Sequence, residues 1–170
     1  AYVADALDDK VTVLDARDFT IARRIDLGGP ALITELRKGE RLFHSAAKAF
    51  AGQFSCQSCH PDGHTSGLTV DIEADGIGVL PVDNRTLRGI LDTDPFKWEG
   101  TNPSLFRQCG PRLAVFFTRC EPFSPEELQA LVRYECTIER PPNRFRSAEG
   151  LTRSQYRGKL VFERAIDNQG

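Results

Sequence analysis

The stretch Cys56-Gln57-Ser58-Cys59-His60 concentrates reactive side chains: two thiols three positions apart and an imidazole directly after the second. On one helical turn the two sulfurs can reach the two vinyl-derived carbons of a haem and form thioethers, while the adjacent imidazole points at the iron as proximal ligand. Other uses of a C-x-x-C spacing need other contexts. A dithiol redox pair sits after a strand in a βαβ pattern, and a zinc site needs a second cysteine or histidine pair. Neither context is present. The spacing therefore predicts one covalent haem c, with Cys56, Cys59 and His60 as its attachment and ligand residues.

The sixth iron position is left open. The chain has no methionine, which excludes the His/Met pairing of many electron-carrier cytochromes. His44 is the candidate distal ligand, with an ordinary interhelical histidine as the alternative. His64 follows His60 by four residues and gains only about 14 Å of extended chain, too little to round a macrocycle. Its remaining roles are a hydrogen bond to a propionate, a ligand to a neighbouring haem, or exposure in the loop PDGHTSG. A vacant distal site would favour peroxide or small-molecule chemistry.

Composition limits the partners. Acidic and basic residues nearly cancel, 24 against 22 in 170 residues, so no whole-chain field argues for nucleic acid. No apolar run approaches the roughly 18 residues of a membrane span, and AYVADALDDK lacks the basic start of a signal peptide. Besides the motif pair there are Cys109, Cys120 and Cys136.

The elements that must position the motif read as follows. Alternation at Val11, Val13 and Leu14, and again around Ile21 and Ile25, predicts two or three short strands before Gly28-Gly29-Pro30. Helical spacing from Thr34 to about Ala51 (Leu36, Leu42, Phe43, Ala46, Ala47, Phe50) predicts an amphipathic helix ending just before the cysteines. From Pro61 to Asn102 the chain is irregular, with one short helical candidate at Arg85 to Ile90. Ser124-Pro125-Glu126-Glu127 is a capping box with proline at the first helical position, opening a helix through Leu128, Leu131, Val132 and Cys136. Thr152 with Gln155 repeats the device before a last helix running almost to Gly170.

Several motifs in order extend the haem signal: Gly39 to Phe43, Ser55 to His60, Asn84 to Leu87, Phe96-Lys97-Trp98-Glu99-Gly100, Leu105 and Gln108. In this order they resemble the N-terminal haem domain of the bacterial di-haem cytochrome c peroxidase family, which includes enzymes that mature tryptophan cofactors. Tyr134 to Arg140, Pro141 to Phe145 and Leu151 to Arg164 are similar to that family's bridge into a second haem domain, so the chain reads as a fragment. The opening YVADALDDKVTVLDARDFTIARRIDLGG is similar to one repeat of a YVTN-type β-propeller, and CHPDGHTSGL resembles the subgroup fused to such propellers. DGIGVLPVDN lacks the distal histidine that peroxidase members carry there.

The resemblance implies a mainly α, cytochrome c-like haem domain with long irregular loops and a short N-terminal β segment. Its parts would be a hairpin at 1–30, the haem domain at 31–148 and the start of a second haem domain at 149–170. It implies an electron-transfer domain of a multi-haem redox protein, partnered by a second haem domain of the same polypeptide or a separate redox protein. The alternative is a peroxidase-like oxidoreductase reacting with hydrogen peroxide, with Gln108 and, at a different spacing, Glu121 as distal catalytic residues. A non-redox ligand-sensing module is a third reading. Trp98 and His64 are carried as cofactor-binding residues, Trp98 with packing or electron relay as its role. Haem c attachment places the protein in the periplasm or otherwise outside the cytoplasm, where one disulfide, Cys109 with Cys120, is expected.

Overall fold

The computed structural model describes residues 1–30, 32–71, 81–110 and 121–164. The chain divides into two compact units, Ala1–Glu139 and Arg140–Gly170.

The first unit begins with a three-stranded antiparallel sheet, β1 (Tyr2–Asp5), β2 (Lys10–Leu14) and β3 (Ile21–Asp26), in the order β1-β2-β3. The register pairs Val3 with Thr12 and Val11 with Ile25. Thr12, buried in the central strand, donates to Asp5 at 2.5 Å, so its hydroxyl is satisfied across the β1–β2 pair. Arg37 joins this sheet to the helix that follows, donating to Asp9 at 3.0 Å and to the Ala6 carbonyl while pairing with Glu40 at 2.7 Å.

That helix, α1 (Glu35–His44), starts where Thr34 accepts from the Arg37 backbone N–H at 3.2 Å. It stops at His44, shorter than the apolar spacing predicts, because Ser45 is extended and Ala51 takes a left-handed conformation inside a 3₁₀ turn. Leu42, Phe43, Ala46, Ala47 and Phe50 share a spacing, but the backbone follows the turn rather than the pattern.

The core is the crossing of α1 with α4 (Pro125–Glu135). Ser124 and Glu127 close the capping box that the sequence shows, with Ser124 accepting from the Glu127 N–H at 3.2 Å and Glu127 accepting from the Ser124 N–H at 2.8 Å. Gly39 lets the helices touch backbone to backbone: a Cβ there would lie 2.0 Å from the Ala130 carbonyl oxygen. Phe43 and Leu131 are fully buried at this crossing, and Cys109 of α3 (Leu105–Cys109) joins them.

The irregular stretch after the motif contains one hairpin, β4 (Thr69–Asp71) with β5 (Pro81–Asp83). Arg85 to Ile90 forms hydrogen-bonded turns and no helix, its carbonyls and N–H groups being committed to neighbouring segments. In the second unit Thr152 and Gln155 cap α5 (Arg153–Arg164) as expected.

The expectation of a mainly α fold is corrected: the architecture is mixed, 35% helix and 15% strand among the described residues. The physical reason is that two sheets form where only short alternating or turn-rich sequence is visible, and that the long helix expected before the motif loses its second half to turns.

Candidate functional site

Cys56–Cys59 forms a single helical turn, α2, capped by Ser55 and Ser58: the Ser55 backbone N–H donates to the Ser58 hydroxyl at 3.1 Å. This puts the two sulfurs on one side of one turn, and the His60 N–H closes it by donating to the Cys56 carbonyl at 2.9 Å. The backbone of His60 then leaves the helical region, which ends the turn at Cys59.

The His60 ring is held by a backbone contact. Its Nδ1 lies 3.1 Å from the His64 carbonyl oxygen, an acceptor, so Nδ1 carries the proton and Nε2 keeps its lone pair. Burial lowers the His60 pKa, opposed by the carbonyls of His64 and Arg85. A neutral imidazole with a fixed tautomer is the form that binds a metal, and the carbonyl behind it is the usual device for orienting such a ligand. Burial also raises the Cys59 thiol. Among the described residues no three His, Cys, Asp or Glu side chains converge on a metal position, so a cation held by side chains alone has no site there.

A second layer fixes the turn from outside. The Asn84 side-chain amide donates to the Cys59 carbonyl, which also accepts from the Ser66 N–H at 3.1 Å. Thr65 donates in turn to the Asn84 backbone carbonyl at 3.0 Å. Gly63 has φ +68, and a Cβ there would lie 2.5 Å from Ile138 Cγ2, so both its backbone angle and its neighbour require glycine. Its N–H donates to the His60 carbonyl at 2.9 Å and its own carbonyl accepts from Leu87 at 2.8 Å. Thus Asn84 together with Arg85 to Ile90, the latter a short helical candidate in the sequence, is the strap that holds the motif.

His64 lies against this strap, with Nδ1 3.0 Å from the Thr86 hydroxyl, and its carbonyl oxygen lies by the His60 ring. Trp98 is tied in by its indole N–H, which donates to the Asp83 carbonyl at 3.1 Å, and by the Arg85 guanidinium stacked 3.7 Å from its ring centre. It remains 56% exposed, as does much of Leu68, whose carbonyl accepts from Asn84. These are apolar surfaces beside the motif that a flat apolar group would cover.

The other sequence-derived candidates lie elsewhere. His44 ends α1 and packs its ring against Phe43 and Tyr134, 5.3 and 6.3 Å between centres. Gln108 accepts from the buried Asn102 at 2.5 Å. Glu121 is exposed at the approach to α4. Cys109 is a free thiol facing Glu135, and the disulfide expected of it is not formed; Cys120 lies outside the described residues, as does most of DGIGVLPVDN.

Sequence reasoning missed three residues. Asn84 was part of a motif, but nothing in the sequence showed that it reaches Cys59. Asn102 is 4% exposed, and its Oδ1 has no partner. Glu135 did leave a signal: it completes the Leu128, Leu131, Val132 stripe at helical spacing, a carboxyl on a buried face.

No family model matches the chain. A curated relative, the hydrazine synthase subunit gamma of Kuenenia stuttgartiensis, is 37% identical over 140 residues, covering 75% of this chain and 39% of the relative. A solved structure of Kuenenia stuttgartiensis hydrazine synthase, pressurized with xenon, matches with a TM-score of 0.62 at 33% identity, covering 79% of this chain and 46% of that one. The chain therefore spans less than half the length of either.

These findings correct two expectations. The resemblance to di-haem cytochrome c peroxidases and propeller fusions gives way to hydrazine synthase, which the chain matches in sequence and in fold. The motifs that suggested it are short, and the ungapped order of a few residues is weaker than 140 aligned positions. The reading as an electron-transfer domain, or as a hydrogen peroxide-reacting one, falls with it, because the relative is named as a subunit of a hydrazine-forming enzyme. No helix among the described residues is long and apolar enough to cross a membrane. The chain is similar in sequence to part of the gamma subunit of hydrazine synthase, and in fold to part of a chain of hydrazine synthase.

Proposed function

We propose that this chain is a haem-bearing part of a gamma-type subunit in a hydrazine-forming enzyme complex. Cys56 and Cys59 would hold one haem c through thioethers, and His60 Nε2 would ligate its iron. The observation that carries the reading is the motif turn itself: two sulfurs on one helical turn, followed by an imidazole whose tautomer the His64 carbonyl sets. The similarity to hydrazine synthase supports the reaction class.

When bound, the haem supplies an iron able to exchange single electrons and to bind a small nitrogen compound. The chain's own residues do the rest. Cys56 and Cys59 make the attachment permanent, and the strap through Asn84 and Gly63 stops the turn from rotating. Arg85 and Arg88 place positive charge beside it, the sign that suits the propionates of a porphyrin. Arg88 is itself anchored, its Nε donating to the Asp62 carbonyl at 3.0 Å. Covalent attachment of this kind is carried out outside the cytoplasm, which favours an extracytoplasmic protein. The partners are the other subunits of the complex and the remainder of the gamma-type polypeptide.

The test is maturation in a host that attaches haem c. Haem absorbance should survive denaturing electrophoresis in the wild type and vanish in Cys56→Ser with Cys59→Ser. In the reconstituted complex, His60→Ala should lower hydrazine formation at least tenfold. A folded chain that takes up no haem, or a complex indifferent to these substitutions, overturns the reading.

A further inference from the structure

Glu135 ends α4 on the face turned into the core and is 3% exposed. An ionised carboxylate is costly in such a place unless a cation accompanies it. No lysine, arginine or histidine among the described residues pairs with it. Its hydrogen-bond partner is the Cys109 thiol, whose Sγ lies 3.3 and 3.5 Å from the two carboxyl oxygens. Cys109 belongs to the buried cluster of Phe43 and Leu131, and Cys56 packs against that same cluster. A carboxyl, a thiol and a haem-attachment cysteine are thus layered through one dry region.

The titratable surroundings come from each neighbouring element. α3 contributes Cys109, and α2 contributes Cys56 beyond it; Cys136 follows on the carboxyl's own helix, with Asp92 acting on it from a loop. α1 packs Phe43 against the region, while its Arg37 pairs with Glu40 and Asp9, its Arg41 with Asp9 at 3.8 Å and its Glu35 with Arg133. Burial moves Glu135 up to about 7 and Cys109 well above its ordinary value, so the carboxyl, not the thiol, exchanges protons near neutrality.

We propose, resting on the haem reading above, that Glu135 is a proton-exchanging carboxyl coupled to the redox state of the iron of the haem attached at Cys56. When a one-electron donor protein or chemical reductant converts ferric to ferrous iron, the Glu135 carboxylate takes one proton from water; reoxidation by a one-electron acceptor returns it. The electron makes the region more negative, and in a low-dielectric core a carboxylate answers by protonating. Electron uptake then leaves the net charge of the core unchanged.

Redox titration of the haem-loaded protein between pH 5.5 and 8.5 tests this. The midpoint potential should fall as pH rises, toward a limit of a tenfold shift in the reduction equilibrium per pH unit, about 59 mV for one electron. Glu135→Gln, which keeps the shape and a hydrogen-bonding group, should flatten the slope across the middle of the range. An unchanged slope in a folded, haem-loaded Glu135→Gln overturns the proposal and leaves the haem reading intact; absence of haem overturns the haem reading instead. Should Glu135→Gln fail to fold, redox-difference infrared spectra of the wild type decide. A protonated-carboxyl band that appears on reduction and is centred near pH 7 supports the proposal, and a spectrum without one overturns it.

Discussion

The motif turn and the α1–α4 crossing are held by different forces. The turn, from Ser55 to Ser66, packs little apolar area and is fixed by a lattice of hydrogen bonds: Asn84 and Ser66 on the Cys59 carbonyl, His64 on the His60 ring, Leu87 on Gly63. The crossing is fixed by contact, with Phe43 and Leu131 fully buried and two backbones meeting at Gly39 and Ala130. A hydrogen-bonded turn tolerates a covalent prosthetic group on its open side, whereas a packed crossing tolerates nothing new. The geometry that defines the site and the energy that holds the chain together therefore reside in different residues, and substitutions should separate them.

Gly39→Val should have the largest effect. Its Cβ would fall 2.0 Å from the Ala130 carbonyl oxygen and 2.6 Å from its carbon, so the helices have to part along the whole crossing. The cost should exceed about 4 kcal/mol, the range reserved for overpacking that a core cannot absorb. That is a large share of the roughly 5–15 kcal/mol that holds a typical domain folded. Urea titration followed by circular dichroism measures it, and a wild-type midpoint would show that the two backbones are not in obligatory contact.

Glu135 belongs to the crossing, and its pH behaviour has a definite sign. Its folded pKa, about 7, lies above the ordinary 4.5, because burial penalises the charged form more than the Cys109 hydrogen bond favours it. Between these values the native state holds more protons than the unfolded chain, so stability falls as pH rises from about 4.5 through 7. The loss is about 3 kcal/mol in all, from 1.36 kcal/mol per unit. Glu135→Gln should show no such decline. It should match or trail the wild type at pH 4 and exceed it at pH 8; parallel profiles for the two proteins would mean that Glu135 does not titrate in this window.

How far the sequence reveals these regions follows from the same division. Local signals of fold read correctly: the Ser124 and Thr152 capping boxes and the strands around Val11 and Ile25 all depend on neighbours in the chain. The second half of the expected helix after His44 failed because its apolar spacing continues while Ala51 and Gly52 turn the backbone left-handed. The segment from Arg85 to Ile90 failed because its groups bond to Asp62, Gly63 and Ile138, partners 22 or more positions away that no window shows. Family likeness drawn from short motifs failed for a related reason: a haem turn with an aromatic motif downstream is common chemistry, and function lies in the rest of the aligned chain.

The smallest effect isolates the turn. Asn84→Ala removes the amide that donates to the Cys59 carbonyl and the Oδ1 that accepts from Thr65, while leaving the Thr65 bond to the Asn84 backbone carbonyl and the α1–α4 crossing untouched. A lost hydrogen bond of this kind costs about 1 to 2 kcal/mol, because the Cys59 carbonyl keeps its second donor, Ser66. Global stability should move by no more than that, yet the amide hydrogens of Cys59 to Gly63 should exchange faster by about tenfold as the turn opens locally without the core. If exchange in the turn instead tracks the drop in global stability, the turn and the crossing unfold together, and the hydrogen-bonded lattice is no independent unit. If it accelerates alone, the strap through Asn84 is what holds the two sulfurs and the imidazole in register.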